Sequence, residues 1–169
     1  MKAIFALWLV ASCALSAIGR AQAASQPFAI TISPLHDGDS SSDVIKAGEP
    51  LALTVTLVNN SHKAVSIPNM DLDLYYTIDV RDEHGNTAPE TEEARKMREA
   101  ASSPNYRRWR SGVMGKLKPH DKSTDKLLVT QYWDMSRPGK YTIQVERQLP
   151  EELGKGSVKS NTITVTVTE

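Results

Sequence analysis

Asn161-Thr162-Ile163-Thr164-Val165-Thr166-Val167-Thr168 is the stretch that decides the fold. Ile163, Val165 and Val167 recur at every second position, with threonines between them. A period of two puts successive side chains on opposite faces of a strand, whereas a helix would need apolar residues three or four apart. Upstream, the Pro138-Gly139-Lys140-Tyr141 turn feeds a second alternating run, Tyr141-Thr142-Ile143-Gln144-Val145-Glu146. Both runs read as strands with one apolar and one wet face.

Working back toward the start, the same alternation recurs. Phe28–Ser33 ends at Pro34 and suits an edge strand, because proline cannot donate to a ladder. Leu35–Asp43 is a polar loop and Lys46–Pro50 a turn, after which Leu51, Leu53, Val55 and Leu57 line one face. Asn59-Asn60-Ser61-His62-Lys63 turns the chain into a short strand over 64–67. The next strand spans 72–81, with Leu72, Leu74, Tyr76, Ile78 and Val80 inward, and ends at the turn Asp82-Glu83-His84-Gly85-Asn86. Further strands are predicted over 126–133, 140–148 and 158–168. About seven strands with turns between them, and no alternation with helices, predict an all-β fold: an antiparallel two-sheet sandwich.

One segment breaks the pattern. Residues 87–118 form an insertion without period-two alternation. Within it, Glu90, Glu92 and Glu93 precede Arg95, Lys96 and Arg98, the charge order a helix dipole favours. Pro89 suits a first helical turn and Ser102-Ser103-Pro104 a stop, so a short helix is predicted over 89–101 with Ala94, Met97 and Ala101 as its apolar face. Asn105–Gly115 reads as an irregular loop.

The first 23 residues read as a signal peptide. Lys2 is followed by the apolar run Ala3–Leu15, and Ala21-Gln22-Ala23 forms a small-residue cleavage site. The apolar run is too short to span a bilayer, which takes about 20 residues. Export to a bacterial periplasm or the cell exterior is the expectation. A lipobox-like Val10-Ala11-Ser12-Cys13 offers lipid anchoring at Cys13 as an alternative. Cys13 is the sole cysteine, so residues 24–169, expected as a single domain, hold no disulfide, thiolate nucleophile or cysteine metal site.

The formal net charge of zero conceals opposing blocks. Residues 24–94 carry 3 Lys/Arg against 12 Asp/Glu, net −9, whereas residues 95–118 carry 8 Lys/Arg against Glu99 alone, net +7. The basic block either lies on the acidic sheets of its own domain or steers a partner.

Three segments carry a family resemblance: Gly48-Glu49-Pro50-Leu51 through Val58-Asn59-Asn60-Ser61, Ile78-Asp79-Val80-Arg81-Asp82-Glu83-His84-Gly85, and Pro138-Gly139-Lys140-Tyr141-Thr142. In this order they resemble bacterial immunoglobulin-like sandwich domains, and the layout over residues 46–148 is most similar to the BsuPI-type proteinase inhibitor domain. The resemblance implies an immunoglobulin-like sandwich. Two departures stand out: the insertion at 87–118, and Leu117-Lys118-Pro119-His120-Asp121 where the family has a proline-glycine turn. The expected export also departs from a family whose members are intracellular. No inhibitory residues carry over.

Chemistry-bearing patterns are sparse. His36, His62, His84 and His120 all fall in predicted loops, never at metal-ligand spacing, and read as solvent-exposed turn residues. No serine sits in a G-x-S-x-G elbow. The acidic run Asp37–Asp43 fails the EF-hand template, with Ser42 at the glycine position and Gly48 at the glutamate position. A looser oxygen site with Asp71 or Asp73 is the remaining calcium reading. Asn59-Asn60-Ser61 is formally a glycosylation sequon, without weight in a bacterial protein. Trp133 is expected to cap the core at a strand end, and Tyr141 to act as a corner tyrosine bonded back to a loop.

Tyr106, Arg107, Arg108, Trp109 and Arg110 are the candidate binding residues, since arginines beside aromatics clamp carboxylates, stack on rings or anchor interfaces. Catalytic residues, metal ligands and cofactor motifs are not recognisable. Nucleic acid is not expected as a partner for an exported chain, nor is a membrane span, and nothing in the pattern specifies an oligomeric state. The functional expectation is an exported, non-enzymatic module that binds another protein or a cell-envelope polymer. A proteinase-inhibitor-like domain and a purely structural envelope protein are the alternatives.

Overall fold

The fold follows from a computed structural model that describes residues 26–35, 43–68, 76–102, 114–149 and 156–169. Ten strands are described: β1 (Phe28–Pro34), β2 (Val44–Lys46), β3 (Ala52–Asn59), β4 (Val65–Pro68), β5 (Tyr76–Arg81), β6 (Met114–Leu117), β7 (Lys122–Leu128), β8 (Gly139–Gln148), β9 (Ser157–Lys159) and β10 (Ile163–Thr168). One helix, α1 (Glu92–Ala101), lies between β5 and β6.

The strands make an immunoglobulin-like sandwich. One sheet has the order β1-β3-β7. The facing sheet runs β2-β10-β8-β5, with β9 paired to β8. A separate two-stranded sheet joins β4 to β6. All pairings are antiparallel except β2 with β10, where Ile45 lies opposite Val167. The alternation read from the sequence sets what each strand buries. Phe28, Ile30 and Ile32 of β1, Leu53, Val55 and Leu57 of β3, Tyr141, Ile143 and Val145 of β8, and Val165 and Val167 of β10 all join one core. Asn161 staples the two sheets. Its Oδ1 accepts from Ile32 N at 2.8 Å and its Nδ2 donates to Ile32 O at 3.0 Å. Both polar groups of an interior residue of β1 are thereby satisfied away from a ladder.

The seven expected strands are present, with differences at their margins. The last run divides into β9 and β10, because Ser160 turns inward and its Oγ accepts from Val145 N at 2.9 Å. The strand expected over 126–133 instead covers Lys122–Leu128 and gives way to a 3₁₀ turn at Val129–Gln131. There Val129 N donates to Leu51 O, and Leu51 N donates to Thr130 Oγ1, so the ladder is replaced by a side-chain bond. Its first half, Lys122-Ser123-Thr124-Asp125, looks like a loop by composition. It is an edge strand, where charges discourage further pairing.

Two more differences lie in the insertion. The helix begins at Glu92, not Pro89, because Thr91 is its N-cap and Glu90 is held in a bridge to Trp133. Residues 114–117 are a strand, paired with β4. For the strand expected over 72–81, Tyr76 and Val80 are buried and Ile78 partly so, while Leu72 and Leu74 lie outside the described residues.

Candidate functional site

The sequence candidates Tyr106, Arg107, Arg108, Trp109 and Arg110 lie outside the described residues, as do His36, Asp37, Asp39, Asp71 and Asp73. The segment leading to the basic-aromatic stretch is described. Thr91 Oγ1 accepts from Ala94 N at 3.1 Å and donates to Gln131 O at 2.6 Å, so one hydroxyl caps the helix and ties it to the 3₁₀ turn. Gln131 Nε2 donates to Glu93, and Arg98 pairs with Glu90. Beyond that first turn the helix hardly packs. Of Glu92–Ala100 only Ala94 is buried and Met97 half-buried, and the charged residues are exposed.

Under the start of α1, a cleft of about 130 Å³ is lined by Gly48, Glu49, Thr91, Thr130, Trp133, Asp134, Met135 and Ser136. Small-molecule sites usually measure roughly 300–1,000 Å³. This one has room for a single side chain or a few waters. Trp133 is half-buried and packs on the core, as expected of a cap, while also lining the cleft. Beside it, Tyr141 Oη donates to Arg137 O at 3.0 Å, the corner-tyrosine bond expected from the sequence. Burial, with Asp134 nearby, holds the Tyr141 hydroxyl above its usual pKa, so the donor form dominates.

The other end of the sandwich is organised by Asn59, which the sequence offered as part of a turn, a sequon and a segment of the family resemblance. Its side chain is 0% exposed and makes five hydrogen bonds. Nδ2 donates to Lys63 O (2.8 Å), Leu117 O (3.0 Å) and Lys118 O (3.1 Å), and Oδ1 accepts from Ser61 N and Ser61 Oγ. Its backbone adds His120 N to Asn59 O at 2.7 Å and Asn59 N to Asp121 O at 3.0 Å. Two loops are therefore locked together, and they bring the exposed rings of His62 and His120 to a centroid distance of 6.3 Å in an edge-to-face arrangement. His120 has φ 65, the single positive φ outside glycine among the described residues.

A third polar group faces the interior. Arg147 occupies the inward register of β8 after Tyr141, Ile143 and Val145, and is 4% exposed. Its Nη1 donates to Tyr76 Oη at 2.7 Å, and its guanidinium carbon lies 4.9 Å from the Tyr76 ring centroid. Tyr76 Oη in turn points at Asp125 Oδ2, 3.4 Å away on β7 of the facing sheet. Burial pushes both the Tyr76 hydroxyl and the Asp125 carboxyl above their ordinary pKa values, opposed in each case by the Arg147 charge. This chain of donors and acceptors ties β5, β8 and β7 together. Tyr76 was expected inward; extending the period-two register by one step beyond Val145 and before Leu127 would have placed Arg147 and Asp125 inward as well, which is the signal sequence reading missed.

Among the described residues no group of three or more His, Cys, Asp or Glu side chains gathers as a metal cluster, and no helix is long and apolar enough to cross a membrane. No protein-family model and no curated protein matches the chain. Two solved structures align with it. One is a CARDB domain from Pyrococcus furiosus, solved in complex with di-metal ions: 14% identical, TM-score 0.40, covering 83% of this chain and 87% of that one. The other is a conserved hypothetical protein from Bacillus anthracis: 15% identical, TM-score 0.32, covering 72% of this chain and 83% of that one.

Proposed function

We propose that the chain is an exported, non-enzymatic immunoglobulin-like module whose insertion at 87–118 binds another protein or a cell-envelope polymer. The observation that supports it is the mounting of α1. The helix is fastened firmly at Thr91, yet beyond its first turn it buries almost nothing and exposes Arg95, Lys96 and Arg98. An element serving only to cover the core would bury an apolar stripe along its length. This one exposes Arg95 beside the ion-paired Lys96 and Arg98, and leads in sequence to Tyr106–Arg110, within residues 95–118 of net charge +7. The partner chemistry that fits is anionic, with an aromatic anchor at Trp109.

Fluorescence of Trp109 tests this reading, in residues 24–169 carrying Trp133→Phe so that a single tryptophan remains. A red, easily quenched emission that shifts blue on adding envelope extract, and reverts with salt, is the expected result. A blue, protected emission that ignores the extract would overturn it and leave the insertion structural. Titration against a panel of proteases addresses the inhibitor alternative: inhibition at micromolar concentrations would favour that alternative.

A further inference from the structure

We propose that His62 and His120 together form a surface site for a divalent transition-metal ion of the copper–zinc class. Their sequence spacing hides the pair, and the Asn59 clamp creates it. The two rings stand 6.3 Å apart, centroid to centroid. With metal–nitrogen bonds of about 2.0–2.1 Å, two imidazoles on one tetrahedral ion hold their centroids roughly 5 Å apart. Both side chains are exposed, so rotation about their χ angles closes the remaining ~1 Å without moving backbone.

Two features distinguish the pair from a chance meeting of surface histidines. The loops that carry them are held by the buried Asn59 side chain and by two backbone bonds, so the ligand Cα positions are preset and little ordering entropy remains to be lost. His120 also keeps a left-handed backbone conformation, one that few non-glycine residues adopt.

The ligand chemistry sets the ion class. Neutral imidazoles suit copper, nickel and zinc, in the affinity order Ni²⁺ < Cu²⁺ > Zn²⁺, and are poor ligands for calcium or magnesium. Lys63 and Lys118 flank the rings in the same loops, with Asp121 beside His120. The site thus selects by ligand softness rather than by accumulated negative charge. Two protein ligands leave the other positions to water or to a donor brought by a partner.

The test is calorimetric titration of the untagged chain with copper(II) chloride and, separately, zinc(II) chloride, with imidazole NMR signals followed in parallel. The expected result is one ion per chain, dissociation constants on the order of micromolar for copper and weaker for zinc, and shifts confined to His62 and His120. His62→Gln and His120→Asn should each weaken binding at least roughly tenfold, since each removes one of two ligands. His84→Ala should leave it unchanged. Asparagine is chosen at position 120 because it accepts the positive φ, and circular dichroism checks that both variants stay folded. Absence of saturable binding below about 1 mM, or equal binding by the wild type and both ligand variants, would overturn the proposal.

Discussion

At one end of the sandwich a buried amide closes the structure; at the other, a hydroxyl and the backbone beside it fasten a helix that then runs into solvent. Asn59 reaches three carbonyls and Ser61 from a position of 0% exposure, and its bond to the Leu117 carbonyl is buried. The Thr91 hydroxyl makes two hydrogen bonds in a half-buried position, and seven of the nine residues that follow it are exposed. Burial explains the difference in what each bond is worth. An amide sealed from water cannot exchange its partners for solvent, so each lost bond leaves an unsatisfied group. A half-exposed hydroxyl can make that exchange. The rigid end is therefore suited to holding side chains at fixed separation, and the loose end to presenting a surface.

The sharpest way to break this comparison is Asn59→Ala. It strands the buried Leu117 carbonyl, removes the bonds to Lys63 O, Lys118 O and Ser61 and leaves a void, and should cost about 3 kcal/mol of unfolding free energy, read from urea denaturation. A loss below about 0.5 kcal/mol would mean that water replaces the amide and that this end is not sealed. Thr91→Ala should cost about 1 kcal/mol, and the loss should be local. Hydrogen exchange over 92–101 should accelerate while the β3 and β8 amides keep their protection. Equal loosening of the sheets would make α1 part of the core after all.

Asp125→Asn is expected to act less on the midpoint than on its pH trend. Burial raises the folded carboxyl above its ordinary 3.8, so the folded protein binds that proton more tightly than the unfolded chain does. The stability this contributes is complete below 3.8 and is lost as the pH climbs through the raised value. The variant should therefore gain on the wild type as the pH rises above 3.8 in parallel urea titrations. A constant difference across that range would show that Arg147 fully offsets the burial. Smallest of all should be Lys96→Ala. Its i,i+4 pair with Glu92 spans 2.7 Å, but both side chains are more than 70% exposed. Its effect should stay within about 0.5 kcal/mol, and a larger one would mean that the helix surface is packed against something.

Legibility followed the locality of the forces. β1, β3, β8 and β10 could be read almost residue by residue, because alternation of Ile, Val and Leu with threonine and charge is a local pattern that one buried face enforces. Thr91 could have been recognised as the cap from Glu92 and Glu93 in the turn after it, but Pro89 offered a competing start that the Glu90–Trp133 bridge overrides. β2 and β6 were illegible for a different reason. Three- and four-residue strands owe their hydrogen bonds to distant partners, Thr166–Thr168 for β2 and Val65–Pro68 for β6. Lys122–Asp125 looked like a loop because an edge strand is kept polar.

The sequence by itself determined the all-β class, the inward faces of the long strands, the corner role of Tyr141 and the opposition of acidic and basic blocks. These rest on side-chain period, turn chemistry and charge, which are written along the chain. Only the tertiary structure decided that Asn59 is a hub, that Arg147, Tyr76 and Asp125 meet between the sheets, and that His62 and His120 stand side by side. Each of these depends on strands distant in sequence arriving at a common register. Hydrogen bonding and burial at such meeting points depend on three-dimensional separation, which a linear pattern does not encode.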